Sequence, residues 1–388
     1  MKQAKYTLLL FFQFLFAFSL IGQEFENLSF GTDKSLEILS WNIEHFPQKG
    51  NTTVDYVAKS IQNLDADIIA CQEIESNIYF KKLLNLLPDY EGYYVPGDYA
   101  SLALIYKKGV IKKNKIFEIF TSSWNSFPRA PIVMDFNFKG QKYILINNHL
   151  KCCGNGILEK NNYKDEENRR YMACTSLKDY ILDKYKDVPT ILVGDLNDEI
   201  TDSPKNNVFS PFLDNPDEFK FTDMDIARGN SKNWSYPSYP SHLDHILVNK
   251  PLFDEIAQNT TKTECIKIDD ITNMGWYNYQ KNISDHRPVG IKFFPKVIDG
   301  IEDLNVESTS FYNTPNPIYT ETSFHMDNLN EKAEILIYNP MGQLIDHIDI
   351  AKGQKIANWT PKSEISGIYY AILKRNNKNT TRKLLILK

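Results

Sequence analysis

The chain has 388 residues, of which 42% are hydrophobic and 24% charged; this is the composition of a globular protein long enough for two domains. Its formal net charge of −5 excludes a whole-protein basic field that would draw in polyanions, so any nucleic-acid contact must come from a local patch or from bound cations. The first element is MKQAKYTLLLFFQFLFAFSLIGQ, with Lys2 and Lys5 ahead of an uncharged, nearly all-apolar run over 8–21. That run is short for a bilayer span and reads as a secretory signal over 1–22, cut near Gly22. No other membrane segment is found, so the mature protein is expected to be soluble, outside the cytoplasm and monomeric.

Short apolar runs then alternate with helical patterns. LEILSWN (36–42) reads as a strand and VDYVAKSIQNL (54–64) as an amphipathic helix. ADIIACQE (66–73), YILINNHL (143–150) and TILVGDLN (190–197) are further strands, each an apolar run ending in polar residues. A helix over 165–185 opens with acids. HLDHILVN (242–249) and RPVGIKFF (287–294) complete the series. The alternation predicts an α/β domain over 23–296 with buried strands. A polar, Pro- and Asn-bearing stretch follows, read as a linker over 297–314, and short strands at 333–339, 343–350, 367–374 and 383–388 predict a small all-β sandwich over 315–388. Of the five cysteines, Cys71 sits in an apolar run and reads as a buried small hydrophobe. An oxidising compartment would permit a bridge from Cys152 or Cys153 to Cys174, and the odd count leaves one thiol over.

Packing does not explain where the polar residues fall. Asn42, Glu73, His149, Asp195 with Asn197, Asp244, and Asp285 with His286 all stand at or just past the end of an apolar run. An open α/β sheet gathers its site from several strand ends in this way. Any one of these is weak, because strand ends are polar anyway; six in series are strong.

The carriers SWNIE (40–44), QEIE (72–75), NNHLK (147–151), GDLND (194–198), HLDHILV (242–248) and SDHRPV (284–289) resemble those of the endonuclease/exonuclease/phosphatase superfamily, which includes DNase I-like nucleases. The resemblance implies a four-layer α/β sandwich, two mixed sheets face to face with helices outside, that hydrolyses phosphate esters with a divalent cation. Mg²⁺ is implied, with Mn²⁺ or Ca²⁺ as substitute or additional ion. Mg²⁺ takes oxygen ligands and keeps several waters, which suits Glu73, Asn42 and Asp285. The resemblance further implies His286 as general base held by Asp244, Asp195 orienting water or binding metal, Asn197 donating to a phosphate oxygen, and His149 as acid or phosphate ligand. Arg129, in SFPRAPIV, falls where similar nucleases contact phosphate, a task suited to a guanidinium fork.

Histidines are more often structural than catalytic, and His45, His242 and His245 are read that way. Glu44 stands where relatives often carry another acid. KNWSYPSYPSH (232–242) offers aromatics for stacking on a base or sugar, though a rigid loop explains it equally. The C-terminal module, with AEILIYNPMGQLI (333–345), SGIYYAILK (366–374) and TRKLLILK (381–388), resembles the sorting domain of the type IX secretion system. That resemblance implies export across the outer membrane, to the surface or beyond, with that machinery as a partner. Lys374, Arg375, Lys378, Arg382 and Lys383 are then not a DNA patch.

The expected function is a secreted, divalent-metal-dependent phosphodiesterase, an endonuclease hydrolysing extracellular nucleic acid. The first alternative is a phosphoesterase of the same fold acting on phospholipid head groups or small phosphate esters, because the surrounding loops choose the substrate. A binding or adhesion protein on this fold would have lost Glu73, Asp195, Asn197, Asp244, Asp285 and His286, and all six are present.

Overall fold

The computed structural model describes residues 25–96, 100–296, 311–326, 329, 331–339, 342–362, 366–375 and 378–387. The signal segment and residues 297–310 of the expected linker lie outside them. The chain divides into two compact units on either side of residue 296. Among the described residues no helix is long and apolar enough to cross a membrane.

The first unit contains β1 (Leu36–Phe46), α1 (Asn51–Leu64), β2 (Ile68–Ile74), α2 (Asn77–Asn85), β3 (Tyr90–Tyr94), β4 (Ser101–Lys107), β5 (Lys112–Glu118), β6 (Ile132–Phe138), β7 (Gln141–His149), α3 (Glu166–Lys184), β8 (Thr190–Asp195), β9 (Phe219–Phe221), β10 (Asp244–Asn249), β11 (Lys262–Cys265), α4 (Gly275–Asn282) and β12 (Val289–Phe293), with short helical turns between α3 and α4. The strands form two six-stranded sheets, ordered β11-β12-β1-β2-β4-β3 and β5-β6-β7-β8-β10-β9. Each holds one parallel pair, β1 with β2 across α1 and β7 with β8 across α3, among antiparallel neighbours.

Three apolar layers make this a four-layer sandwich. Trp41, Val57, Ile61 and Leu83 pack between the first sheet and its helices. Ile38, Ile68, Leu145, Val193 and Ile246 fill the space between the sheets. Leu177, Ile181, Leu192 and Leu247 join the second sheet to α3. Central strands buried on both faces explain why their sequences read as unbroken apolar runs. The helix starts follow local chemistry: Ser76 caps α2, and Asp165 accepts from the Asn168 amide at 2.8 Å to cap α3. At one end of the slab between the sheets the apolar layer gives way to amides. Gln72 Nε2 donates to Asn147 Oδ1 at 2.7 Å, and Asn147 Nδ2 donates to the Cys71 and Ala103 carbonyls, both at 3.0 Å.

The second unit carries β13 (Phe311–Thr314), β14 (Thr322–Met326), β15 (Ala333–Tyr338), β16 (Leu344–Ile350), β17 (Ile356–Trp359), β18 (Gly367–Arg375) and β19 (Lys378–Ile386). They form sheets ordered β13-β14-β17 and β16-β15-β18-β19 around a core that includes Phe311, Phe324, Ile335 and Leu384. Strand β13 lies in the stretch expected as linker; its Phe311 is fully buried, so this unit draws in chain from upstream of residue 315.

Candidate active site

The expected residues come from both sheets. Asn42 and Glu73 belong to β1 and β2 of one sheet, and Asp285 and His286 stand just ahead of β12 in that sheet. His149 and Asp195 end β7 and β8 of the other, whereas Asp244, like Asp285 and His286, stands at the start of its strand and not past its end; the pairing is direct, His149 with Asp195 and Asp244 with Asp195. Backbone irregularity aims several of them. Glu73 lies at a register break between β2 and β4 with φ 60°, and Asn197 has φ 56°, a left-handed conformation that non-glycine residues hold only where the surroundings enforce it. Between β7 and β8 the approach is so close that a Cβ on Gly194 would lie 1.8 Å from the Asn148 carbonyl oxygen, so only glycine fits at the first position of GDLND, near the end of β8.

The side chains meet across the seam. Nδ1 of His286 is 2.7 Å from Asp244 Oδ2, and its Nε2 lies 3.8 Å from Asp195 Oδ2 and 3.9 Å from Asp285 Oδ1. Asp195 Oδ2 also accepts from Asn42 Nδ2 at 2.9 Å and faces His149 Nε2 at 3.4 Å. Glu73 Oε1 accepts from Asn42 Nδ2 at 3.1 Å, and Glu73 Oε2 from the His45 amide at 3.2 Å. The His286 segment is braced from behind. Ser284 Oγ donates to the Asn42 carbonyl, and Tyr279 donates to the His286 carbonyl while accepting from the Trp41 indole. Arg129 Nη1 and Asn197 Nδ2 both reach the Leu150 carbonyl, at 3.5 and 3.2 Å.

Burial opposes a charge on His286, but Asp244, Asp195 and Asp285 together outweigh it and raise the imidazole to about 10. His149 goes the other way: its burial, with Arg129 and His286 adding, pushes it well below the ordinary value and keeps the ring neutral. Burial raises Asp195 to about 7, with Asp244 and Glu73 adding to the shift and His286 opposing it. Glu44 is raised to about 7 by burial and then by Asp285 and Glu73, and Asp285 is raised chiefly by burial. Carboxylates crowded beyond what one imidazolium can balance suit a divalent cation. Oδ1 of Asn42 supports the fit: it is buried and has no hydrogen-bond partner, beside Glu73. Ligand atoms of Glu73, His149 and Asp195 also lie within 4.8 Å of one another.

Residues 39–286 match the family model described as Endonuclease/Exonuclease/phosphatase family. The chain belongs to the Endonuclease/Exonuclease/phosphatase family. Its fold is that of solved relatives at low identity. TDP2 of D. rerio, solved with a single-strand DNA product, is 16% identical, covering 68% of this chain and 100% of that one with a TM-score of 0.51. TDP2 from C. elegans is 18% identical, covering 68% and 78% with a TM-score of 0.50. No curated protein matches the chain. Residues 312–387 match the model of a secretion system C-terminal sorting domain, which points to export by type IX secretion to the surface or beyond.

Within the Endonuclease/Exonuclease/phosphatase domain, sequence reasoning missed a second cluster. His242 and His245 close on Asp223, whose Oδ2 is 3.0 Å from His242 Nε2 and 2.6 Å from His245 Nδ1, all three fully buried. Nε2 of His245 is 2.9 Å from the Asp198 carbonyl, so the cluster ties the start of β10 to the GDLND loop. Burial acts against charge on His245, but Asp223 more than compensates and its value rises; Asp223 itself falls. The raised histidine therefore stabilises the fold fully below its unfolded value near 6.5, and that contribution is lost as pH climbs through the folded value. Asp223→Asn should cost about 3–5 kcal/mol, the usual cost of breaking a buried pair. The penalty should be largest near pH 6 and shrink at alkaline pH, as read by urea unfolding of both proteins across that range.

Of the aromatics in the 232–242 stretch, Tyr236 has its ring 4.8 Å from that of His286. Arg287 forms a two-point pair with Asp269 and donates to the Lys232 carbonyl. The bridge to Cys174 that an oxidising compartment would permit is not made. Cys174 is buried on α3 with Leu177 and Ile181, and all five cysteines are free thiols.

Proposed function

We propose that this protein is a secreted, divalent-cation-dependent phosphodiesterase that cuts nucleic acid. The reading rests above all on His286, whose Nδ1 is held by Asp244 while Nε2 faces the Asp195, Asp285 and Asn42 side of the site. A carboxylate at Nδ1 keeps one proton there; the surrounding carboxylates also favour the imidazolium, and a divalent cation balancing them would bring the ring's value down and free Nε2 to take a proton from water. Asp195 would hold that water in line, the water oxygen would bond to phosphorus as the ester P–O bond breaks, and the proton would pass to His286. Glu73, Asn42 and Asp285, with Glu44 beside them, would hold Mg²⁺. The ion would draw charge from the phosphoryl group and the leaving oxygen. Neutral His149, Asn197 and Arg129 would donate hydrogen bonds to phosphate oxygens, Arg129 with charge as well.

Nucleic acid is favoured as substrate by aromatics beside or close in sequence to the site residues. Tyr236 covers His286, Tyr239 of the same loop is 79% exposed, and Trp124, five residues before Arg129, is 73% exposed. Flat exposed rings suit bases, and one protein of the same fold, TDP2 of D. rerio, is recorded with a single-strand DNA product. The test is supercoiled plasmid incubated with the purified protein. Nicking is expected with Mg²⁺ and none with EDTA. Intact plasmid alongside Mg²⁺-dependent release of phosphocholine from phosphatidylcholine, or hydrolysis of bis(p-nitrophenyl) phosphate alone, would overturn the nucleic-acid reading in favour of lipid or small esters.

A further inference from the structure

Three residues past His149 stand two adjacent cysteines that none of the chemistry above uses. Neighbouring side chains of extended backbone point to opposite sides, yet here the Sγ atoms of Cys152 and Cys153 lie 2.9 Å apart. The backbone accounts for it: Cys153 has φ 71° and Gly154 φ 116°, a reversal that folds both thiols onto one side. Closing the gap to a bond of about 2.0 Å takes a movement of only roughly 0.9 Å.

The turn is held from beneath. Arg170, almost fully buried on α3, donates through Nη1 to the Lys151 carbonyl at 2.8 Å and the Cys153 carbonyl at 2.7 Å. Its Nε is anchored on Asp198 at 2.8 Å, and Glu167 adds a second carboxylate at 3.6 Å. Lys151 Nζ sits 2.9 Å from the Cys152 carbonyl and 3.6 Å from its sulfur. Cys153 is exposed and Cys152 partly so, whereas Cys71 and Cys174 are buried. The pair is therefore preformed and open to an oxidant.

We propose that Cys152 and Cys153 form a vicinal disulfide, a ring that reversibly locks the loop behind His149. Each thiol gives up its proton, the two sulfurs join, and two electrons pass to a disulfide reagent that leaves as two thiols. Adjacent Cα atoms are held about 3.8 Å apart, short of the usual spacing for bridged cysteines, so the bond is strained and readily reduced. It is a redox-responsive latch rather than a permanent staple. The ring begins two residues after Leu150, whose carbonyl bonds Arg129 and Asn197, so the latch acts on the donor side of the site.

The test needs no substrate and is independent of the nuclease reading. Full-length protein is incubated with oxidised glutathione, alkylated with iodoacetamide under non-reducing conditions, digested and weighed. The peptide holding residues 152 and 153 should be two hydrogens lighter than the dithiol and carry no alkyl group, then take two after reduction. Cys152→Ser should abolish that mass loss and leave Cys153 open to alkylation. Two alkyl groups after oxidation would overturn the proposal, as would glutathione retained on either sulfur, or a link to Cys174, to Cys265 or to a second chain.

Discussion

His286→Gln is expected to lower kcat for phosphodiester hydrolysis by about 10²–10⁴-fold, the range for loss of a positioned general base, and to cost some stability, because a neutral amide then faces the buried Asp244 carboxylate. The amide of glutamine can still donate to Asp244 but cannot accept a proton from water. His286→Ala should lose as much activity and also stability, because it leaves the fully buried Asp244 carboxylate without its partner at 2.7 Å. Asp244→Asn completes the set: an amide no longer favours the proton on Nδ1, so activity should fall, with a loss of stability of the kind expected for Asp223→Asn. Steady-state rates and urea unfolding on the three variants separate the roles. Full activity in His286→Gln would remove the histidine from the reaction.

Glu73→Gln is expected to weaken Mg²⁺ binding by more than the ~10–100-fold that changes to partners of metal ligands alone produce, and to abolish turnover at millimolar Mg²⁺. The change removes one charge and keeps the shape, so the left-handed backbone at Glu73 and the bond from the His45 amide have no steric reason to move. Titration calorimetry reads the affinity directly. The rise in melting temperature that Mg²⁺ confers on the wild type should disappear in step with it. Unchanged Mg²⁺ affinity would move the ion away from Glu73, toward Asp195 and His149.

Much of this architecture could be read from sequence because the site is built on inner strands. β1, β2, β7, β8, β10 and β12 are buried on both faces, so each announces itself as an apolar run and its polar end stands out. Edge strands carry no such mark. β5, KKNKIFE, is largely exposed and rich in lysine, β9 and β11 span three and four residues, and none has the length or alternation to separate it from a loop. The Asp223 cluster was hidden for a different reason: Asp223 follows the shortest strand, and nothing local says that two histidines some twenty residues on fold back to it. The choice among the cysteine pairings that sequence left open turns on helical period, since the spacing that places Leu177 and Ile181 in the core turns Cys174 there too. The bulge that aims Glu73 is a conformational fact with no residue signature, because glutamate is not a residue expected at positive φ.

The two halves of the site stand on different sheets, and no strand joins His286 to Asp244 or Asn42 to Asp195. What fixes their separation is the hydrocarbon slab of Ile38, Ile68, Leu145, Val193 and Ile246. That slab is a ruler for the chemistry as much as a core. Interiors are close-packed and relax only in part when atoms are removed, and misplacement by about 1 Å can cost 10²-fold in rate. Methyl groups far from any phosphate thus set the calibration of the catalyst, and the thickness of the core is itself a catalytic parameter.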